Sequence, residues 1–242
     1  MLVLAIDTSG KNGSIALACT TGQSDVDIVE VVPLTGGAFS AQLVPQIAAL
    51  LKKHGYSKTD LEAFAVASGP GSFTGLRVGL AAIKALAEAL QKPIAAVSLL
   101  EAVACSSTTR GADKGRVFAA LDAGRGDVYV GDYELEPQLH IHSERLLSRE
   151  EFLAEAAAAE PGFPETAPPE SRRKALVTPD AGLAEMVRAA GVQIELIDYP
   201  NSAVIARLGW EHLQRGHTVR PEELEANYIR HSDAEIFSKP KA

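Results

Sequence analysis

The sequence has little cysteine and no long hydrophobic run. Its two cysteines, Cys19 and Cys105, are far apart in a chain of 242 residues, so they form neither a disulfide framework nor a zinc site. No apolar stretch reaches the roughly 18 residues that a membrane-spanning helix needs. These absences argue against a disulfide-rich secreted protein and a membrane protein, and they predict a protein of the reducing cytoplasm.

Several signatures of catalysis and ligand binding are missing as well. The sequence has no His-Glu-x-x-His helix, and no Lys-Ser or Lys-Thr pair follows Gly75 as in a Walker loop. The net charge is −8, which argues against a protein that binds nucleic acid by itself. His140 and His142 alternate on a predicted strand without an acidic ligand at a matching spacing. We therefore interpret these two histidines as surface residues.

What the sequence does contain is two similar α/β halves. The first half opens with a continuous apolar strand that ends at Asp7, and the second opens with one that ends at Asp122. In each half a glycine-containing turn and a second strand follow, and then strands alternate with helices. This order predicts a duplicated, two-lobed α/β fold of the actin-like (ASKHA, ribonuclease H-like) kind, with lobes at residues 1–109 and 110–242. In that fold the two aspartates face each other across a nucleotide cleft.

A glycine-rich turn, GPGSFTG, joins a predicted strand to a long helix at Phe73–Leu90. Backbone N–H groups at a helix N-terminus suit an anion, but such glycines also permit a tight turn and close packing. An aspartate that ends a buried strand is likewise a common turn residue. Both interpretations stay open. The residues of the candidate nucleotide site are Asp7, Thr8, Gly69, Gly71, Ser72 and Asp122.

Two predicted helices, Phe39–Lys53 and Phe73–Leu90, are apolar around much of their circumference. The charged residues of the second helix are Arg77, Lys84 and Glu88, which fall on one narrow stripe. A surface helix needs only one apolar stripe, so this helix must be covered on more than one side. Either its own domain buries it or a partner protein does. We predict a partner interface at Val44, Ile47, Leu51, Phe73, Leu76, Gly79, Ala82, Ile83 and Leu86.

Three segments carry a resemblance to a known family. LAIDTS at the start, GPGSFTGLRVGL in the middle and LDAGRGDVY at the start of the second half together resemble the TsaB family, which is also called YeaZ. The late segment NYIRHSDAEI is similar to the C-terminal pattern of that family. The resemblance spans most of the chain and is weak between about Gln138 and Val219.

The resemblance implies a non-catalytic paralogue of TsaD, the transferase that completes the threonylcarbamoyl modification (t6A) of adenosine 37 in tRNA. A TsaB protein is a scaffold that binds TsaD through helices of its first lobe, and the ATPase TsaE joins this assembly. The same helices pair two TsaB chains as a homodimer, and tRNA is reached only through the complex. The resemblance implies no catalytic residue, no metal and no cofactor beyond weak ATP or ADP with magnesium, at a degenerate site or at the partner interface.

Particular positions bear on this assignment. The catalytic paralogue carries two metal-binding histidines, and the matching positions here are Leu99 and Val103, which cannot bind a metal. The chain also departs from the family pattern at Phe39, where a histidine is usual, and at Ala226, where a proline is common. The retained Asp7 and the glycine turn keep an alternative open: a nucleotide-hydrolysing or acyl-transferring enzyme of the same fold, or a metallopeptidase-like protein.

Overall fold

A computed structural model of the chain describes residues 1–20, 26–108, 116–135, 139–158 and 175–229. These residues fall into two compact units. The first unit consists of Met1–Ala102 and Pro200–Asn227, and the second consists of the described residues of Val103–Tyr199 and Tyr228–Ala242. Within the described ranges, no helix combines the length and the hydrophobicity that crossing a membrane requires.

The first unit is built on a five-stranded sheet with the order β3-β2-β1-β4-β5. Its strands are β1 (Leu2–Asp7), β2 (Gly13–Thr20), β3 (Val26–Leu34), β4 (Leu61–Gly69) and β5 (Ile94–Ser98). The first three strands pair antiparallel, whereas β4 and β5 run parallel to β1. Every residue of β1 is buried, as its unbroken apolar sequence predicts for a central strand.

The second unit repeats this sheet. Its strands are β6 (Arg116–Gly124), β7 (Asp127–Glu134), β8 (His140–Ser148), β9 (Ala175–Thr178) and β10 (Glu195–Leu196). The order β10-β9-β6-β7-β8 is that of the first sheet when each unit's strands are counted in chain order. The pairing directions also agree, because β6, β7 and β8 are antiparallel while β9 and β10 run parallel to β6. The predicted duplicated actin-like α/β fold is therefore confirmed.

Six α-helices accompany the two sheets within the described residues. They are α1 (Phe39–Lys53), α2 (Phe73–Leu90), α3 (Leu99–Cys105), α4 (Arg149–Ala157), α5 (Ala181–Ala189) and α6 (Ser202–Gln214). The predicted bounds of α1 and α2 are confirmed. In the second unit, α4 and α5 contribute Phe152, Leu183 and Val187 to a core with Phe118 and Val130 of the sheet.

Helices cover both faces of the first sheet. A Cβ atom on Gly79 of α2 would overlap Thr8 and lie 3.6 Å from Ile6. On α6, a Cβ atom on Gly209 would overlap Ala65, which pairs in register with Ala5, the neighbour of Ile6 on β1. Successive residues of a strand point to opposite faces. The helices α2 and α6 therefore pack on opposite faces, and a glycine lets each of them lie close to the sheet.

The division into units differs from the expected lobes 1–109 and 110–242, because Pro200–Asn227 packs with the first unit. The backbone N–H of Ser202 donates to Ser14 Oγ at 2.8 Å, and Leu224 is buried in the core of the first unit. The segment Pro200–Asn227 thus covers the second face of the first sheet. A single boundary in the sequence therefore cannot separate the two units. The late resemblance segment lies outside the described residues from position 230 onwards.

Candidate functional site

The glycine turn between β4 and α2 packs against the turn that follows β1. The N–H of Ser72 donates to the carbonyl of Ser9 at 2.7 Å, and Ser72 Oγ caps α2 by accepting from Gly75 N at 3.3 Å. A Cβ atom on Gly71 would lie 2.5 Å from Ser9 O, and one on Gly75 would overlap Thr8 O. Only glycine permits this approach of two backbones. The close-packing interpretation of these glycines therefore has a direct structural basis.

The end of β1 supplies a buried polar cluster beside this turn. Thr8 Oγ1 donates to Gly75 O at 2.8 Å. Asp7 Oδ1 accepts from the backbone N–H of Ser9 at 2.8 Å and from Ser9 Oγ at 2.6 Å. Burial raises the pKa of Asp7, and the two hydrogen bonds from Ser9 oppose this shift. The hydroxyls of Thr8 and Ser9 are thus engaged within the protein.

Five of the six predicted nucleotide-site residues lie in this first unit. Asp7, Thr8, Gly71 and Ser72 meet around the carbonyl groups of Thr8 and Ser9, while Gly69 lies against Asn227. The sixth, Asp122, is on β6 in the second unit, where its Oδ1 accepts from Gly124 N at 3.3 Å. Its carboxylate is exposed and lies 3.5 Å from the guanidinium group of Arg149.

The described residues do not contain three His, Cys, Asp or Glu side chains placed to hold one metal ion. His140 and His142 are exposed on β8, which confirms their interpretation as surface residues. The structure adds an acidic neighbour that sequence spacing did not reveal, because Glu134 on β7 lies opposite His140 and 3.6 Å from His142.

A groove of about 500 Å³ lies between α1 and α2 in the first unit. The groove is lined by Ser40, Leu43, Val44, Phe73, Thr74, Arg77, Val78, Ala81 and Ala82. Val44 is 64% exposed and Phe73 is 43% exposed, although both are large apolar side chains. The guanidinium carbon of Arg77 stacks 3.7 Å from the centroid of the Phe73 ring. A mainly apolar groove with a cation over an aromatic ring suits the side chains of another protein.

The structure places some of the predicted interface residues at the groove and others in the core. Val44, Phe73 and Ala82 line the groove, and Leu86 is half-buried further along α2. Five other predicted residues are buried in the core of the first unit and cannot contact a partner: Ile47, Leu51, Leu76, Gly79 and Ile83. They form the inner faces of α1 and α2 against the sheet. The helix α2 is therefore apolar around most of its circumference because its inner face packs in the core and its outer face lines the groove.

Sequence reasoning missed several groove residues. The missed positions are Ser40, Leu43, Thr74, Arg77, Val78 and Ala81. On α2, Arg77 and Ala81 follow Phe73 in steps of four, and Val78 follows Thr74 by four, so these residues lie on one face of the helix. This spacing was available in the sequence, but it could not indicate which of two apolar faces the sheet would cover.

The repeated sheet order defines the class of protein, a duplicated actin-like α/β protein. The model of the family described as "TsaD: tRNA N6-adenosine threonylcarbamoyltransferase" matches residues 31–175, more than half of the chain. The chain therefore belongs to this family. Among its curated relatives are proteins described as tRNA threonylcarbamoyladenosine biosynthesis protein TsaB, from Bacillus subtilis and Escherichia coli.

The match to these relatives is partial in length. The Bacillus subtilis protein is 39% identical over 134 residues, which cover 55% of this chain and 56% of the relative. The Escherichia coli protein is 33% identical over 144 residues, which cover 60% of each chain. The matched region thus spans somewhat more than half the length of these relatives.

Solved structures match over nearly the whole chain. A Pseudomonas aeruginosa protein described as similar to the peptidase YeaZ is 27% identical, with a TM-score of 0.71 over 95% of this chain and 99% of that one. YeaZ from Pseudomonas aeruginosa is 24% identical, with a TM-score of 0.67 over 94% of this chain and 99% of that one, and it shows the fold. The predicted resemblance to the TsaB (YeaZ) family of t6A biosynthesis is confirmed.

Proposed function

We propose that this chain is a non-catalytic subunit of the machinery that makes t6A in tRNA, and that it supports a TsaD-type catalytic subunit. The observation that carries this proposal is the groove between α1 and α2, where Val44 and Phe73 are exposed to solvent. An exposed apolar groove of this kind favours association with a protein. The TsaB description of its relatives indicates the pathway in which the partner acts.

The absence of catalysis is the second element of the proposal. Leu99 and Val103 occupy the positions where the resemblance places the metal-binding histidines of the catalytic paralogue. Both are aliphatic and fully buried, so neither provides a ligand atom to a metal. Activity would then belong to the partner, and tRNA would be bound through the complex rather than by this chain alone.

The same groove is proposed to accept a second copy of the chain when TsaD is absent. The outer faces of α1 and α2 would be buried in either complex, so homodimer and heterodimer would compete. TsaE would join the assembly with TsaD, in the cytoplasm.

An alanine in the groove offers the sharpest test. Ala81 is exposed and lines the groove, so Ala81→Glu leaves the free chain folded. On association its carboxylate leaves water together with the guanidinium group of Arg77, four residues earlier on α2, and this desolvation opposes binding. The expected penalty of about 3 kcal/mol corresponds to a loss of affinity for the cognate TsaD of roughly 100-fold. Titration calorimetry or a quantitative pull-down with TsaD measures it.

Ala189→Glu provides the matched control, because Ala189 is an exposed helical alanine of α5 in the second unit. This variant should capture TsaD as the wild type does. Equal capture by Ala81→Glu and the wild type would reject the groove as the binding surface. Turnover of threonylcarbamoyl transfer by the purified chain, in the proven absence of TsaD, would reject the non-catalytic role.

A weak nucleotide site at the glycine turn is a subsidiary proposal. The buried carboxylate of Asp7 lies beside the glycine turn, but the hydroxyl of Thr8 already donates to Gly75 O. We expect the free chain to bind ATP with a dissociation constant on the order of 0.1–1 mM. A calorimetric titration tests this, with Asp7→Asn as the variant, since an amide oxygen can still accept the hydrogen bonds from Ser9. Submicromolar binding that Asp7→Asn abolishes would favour the nucleotide-hydrolysing alternative.

A further inference from the structure

A buried ion pair joins α6 to α3 in the first unit. His212 Nε2 lies 2.8 Å from Glu101 Oε1, and the side chains are 13% and 1% exposed. The other ring nitrogen, Nδ1, lies 3.3 Å from the backbone carbonyl of Ala96 on β5. Both neighbours are hydrogen-bond acceptors, and only the protonated imidazolium carries an N–H on both nitrogens. The geometry therefore fits a charged His212.

The pair is placed where α6 ends and a covering segment begins. We call residues His217–Asn227 the strap. The N–H of His217 donates to His212 O at 2.8 Å, and the N–H of Val219 donates to Ile94 O at 2.9 Å. Further along, Leu224 is buried in the core, and the N–H of Asn227 donates to Ser68 O at 2.7 Å.

The strap lies on the glycine turn that precedes α2. A Cβ atom on Gly69 would lie 3.1 Å from Asn227 O, and the short helical turn Pro221–Glu223 packs on α2. The backbone of the strap thus covers Gly69 and packs on α2, the helix that carries several of the groove residues. Loosening the strap would uncover Gly69 and break the bridge between Val219 and Ile94 of β5.

We propose that the His212–Glu101 pair is a protonation-dependent clamp that holds the strap on the first unit. When His212 loses its proton, one acceptor loses its donor, either Ala96 O or the buried Glu101 carboxylate. Among the described residues, His212 is the one hydrogen-bond partner of that carboxylate. With either neutral tautomer the buried Glu101 carboxylate also loses its cationic partner, which is unfavourable, so the end of α6 and the strap after it open more often.

Several groups act on the His212 ring. Its burial lowers the pKa, but the hydrogen bond and charge of Glu101 and the carbonyl of Ala96 outweigh this and raise the pKa above 6.5. Arg215, the C-terminal cap residue of α6, opposes the rise. The ring of His217 meets that of His212 edge to face at 6.1 Å, and Glu211 lies 3.6 Å from Arg215.

The direction of the pH effect follows from this shift. Because the pKa of His212 is higher in the folded chain than in the unfolded one, the clamp is at full strength below about pH 6.5. It weakens as the pH rises through the folded-state pKa. Opening of the strap should therefore increase above the ordinary pKa of histidine, by about tenfold for each unit of pKa elevation.

Amide hydrogen exchange followed by NMR tests the clamp. We expect the protection of the Val219 and Asn227 amides, corrected for intrinsic exchange, to fall between about pH 6 and about pH 8.5, while amides of β1 keep theirs. His212→Gln should remove this pH dependence, and His217→Gln should preserve it as the matched control.

Titration of the His212 ring supplies an independent readout. Its NMR midpoint should lie above 6.5 in the wild type and lower in Glu101→Gln, which keeps an acceptor without the charge. A midpoint at or below 6.5 in the wild type would overturn the proposal, as would equal pH dependence of strap protection in His212→Gln and the wild type. If Glu101→Gln does not fold, the titration midpoint of His212 in the wild type and the pH dependence of strap protection in His212→Gln still test the proposal.

Discussion

At the scale of single residues, the contacts of α2 with the end of β1 depend on the absence of side chains. Gly71, Gly75 and Gly79 each face backbone or hydroxyl atoms of Thr8 or Ser9 at distances that leave no room for a Cβ atom. Gly75 takes part in both hydrogen bonds that connect strand, turn and helix, because its carbonyl accepts from Thr8 Oγ1 and its N–H donates to Ser72 Oγ. A phosphate bound at this turn would therefore have to contact backbone groups that the packing against Thr8 and Ser9 leaves accessible.

A pair of glycine substitutions tests this point. Gly75→Ala places a methyl group onto Thr8 O, so we expect the free energy of unfolding to fall by about 2–3 kcal/mol. Gly182→Ala is the matched control, because Gly182 lies within α5 with open space around it. That change should stabilise the protein by about 0.5–1 kcal/mol. Denaturant unfolding measures both, and a Gly75→Ala variant as stable as the wild type would contradict the packing argument.

At the scale of elements, α2 has two apolar faces with different surroundings. Leu76, Leu80 and Ile83 are buried in the core of the first unit, whereas Phe73 and Ala81 open onto the groove. A helix that was only a core element would place polar side chains on its outer face. The pattern on α2 is therefore typical of a helix that folds its own domain and also contacts another protein.

Truncating one residue on each face of α2 separates the two tasks. Ile83 is fully buried, so Ile83→Ala should lower the free energy of unfolding by about 2–4 kcal/mol. Phe73→Ala removes a side chain that is 43% exposed, and it should cost the free chain less than about 1 kcal/mol. Phe73→Ala should nevertheless weaken TsaD binding by about tenfold or more. Undiminished binding by this variant would place the partner surface elsewhere.

At the scale of the whole chain, the first unit is completed by Pro200–Asn227, a segment that lies in sequence between the two parts of the second unit. The Ala65 and Ala95 side chains lie under Gly209 of α6, so small residues on both surfaces bring helix and sheet together. Trp210, the single tryptophan of the sequence, is the next residue and is 5% exposed. Its fluorescence therefore reports the docking of α6.

Enlarging Gly209 tests whether the returning segment is needed. Gly209→Val would push α6 from Ala65, and we expect a loss of roughly 2–3 kcal/mol in the free energy of unfolding. Trp210 emission should shift to longer wavelength at lower denaturant concentration than in the wild type. Gly182→Val, in the open part of α5, should leave the Trp210 transition near its wild-type midpoint. An unchanged midpoint in Gly209→Val would show that the contact with Ala65 is dispensable.

Local sequence signals predicted much of this architecture. The apolar runs that end at Asp7 and Asp122 predicted a buried central strand in each half, because a strand buried on both faces does not alternate polar and apolar residues. The repetition of this strand and of the turn after it indicated the duplication. The bounds of α1 and α2 followed from helical periodicity and from Ser72, which caps α2. The resemblance of short motifs to the TsaB family rested on the same local segments, and the comparison with relatives confirmed it.

Only the tertiary structure decided which apolar residues line the open groove and which complete the core. Sequence periodicity placed Ile47 and Val44 on apolar helices, yet the sheet buries the first and leaves the second exposed. The same limit applies to Pro200–Asn227, whose return to the first unit depends on contacts between residues as distant as Ser14 and Ser202. The periodicity of apolar residues indicates which side chains are shielded from water. Whether a domain's own sheet or another molecule covers them depends on packing between segments far apart in the chain.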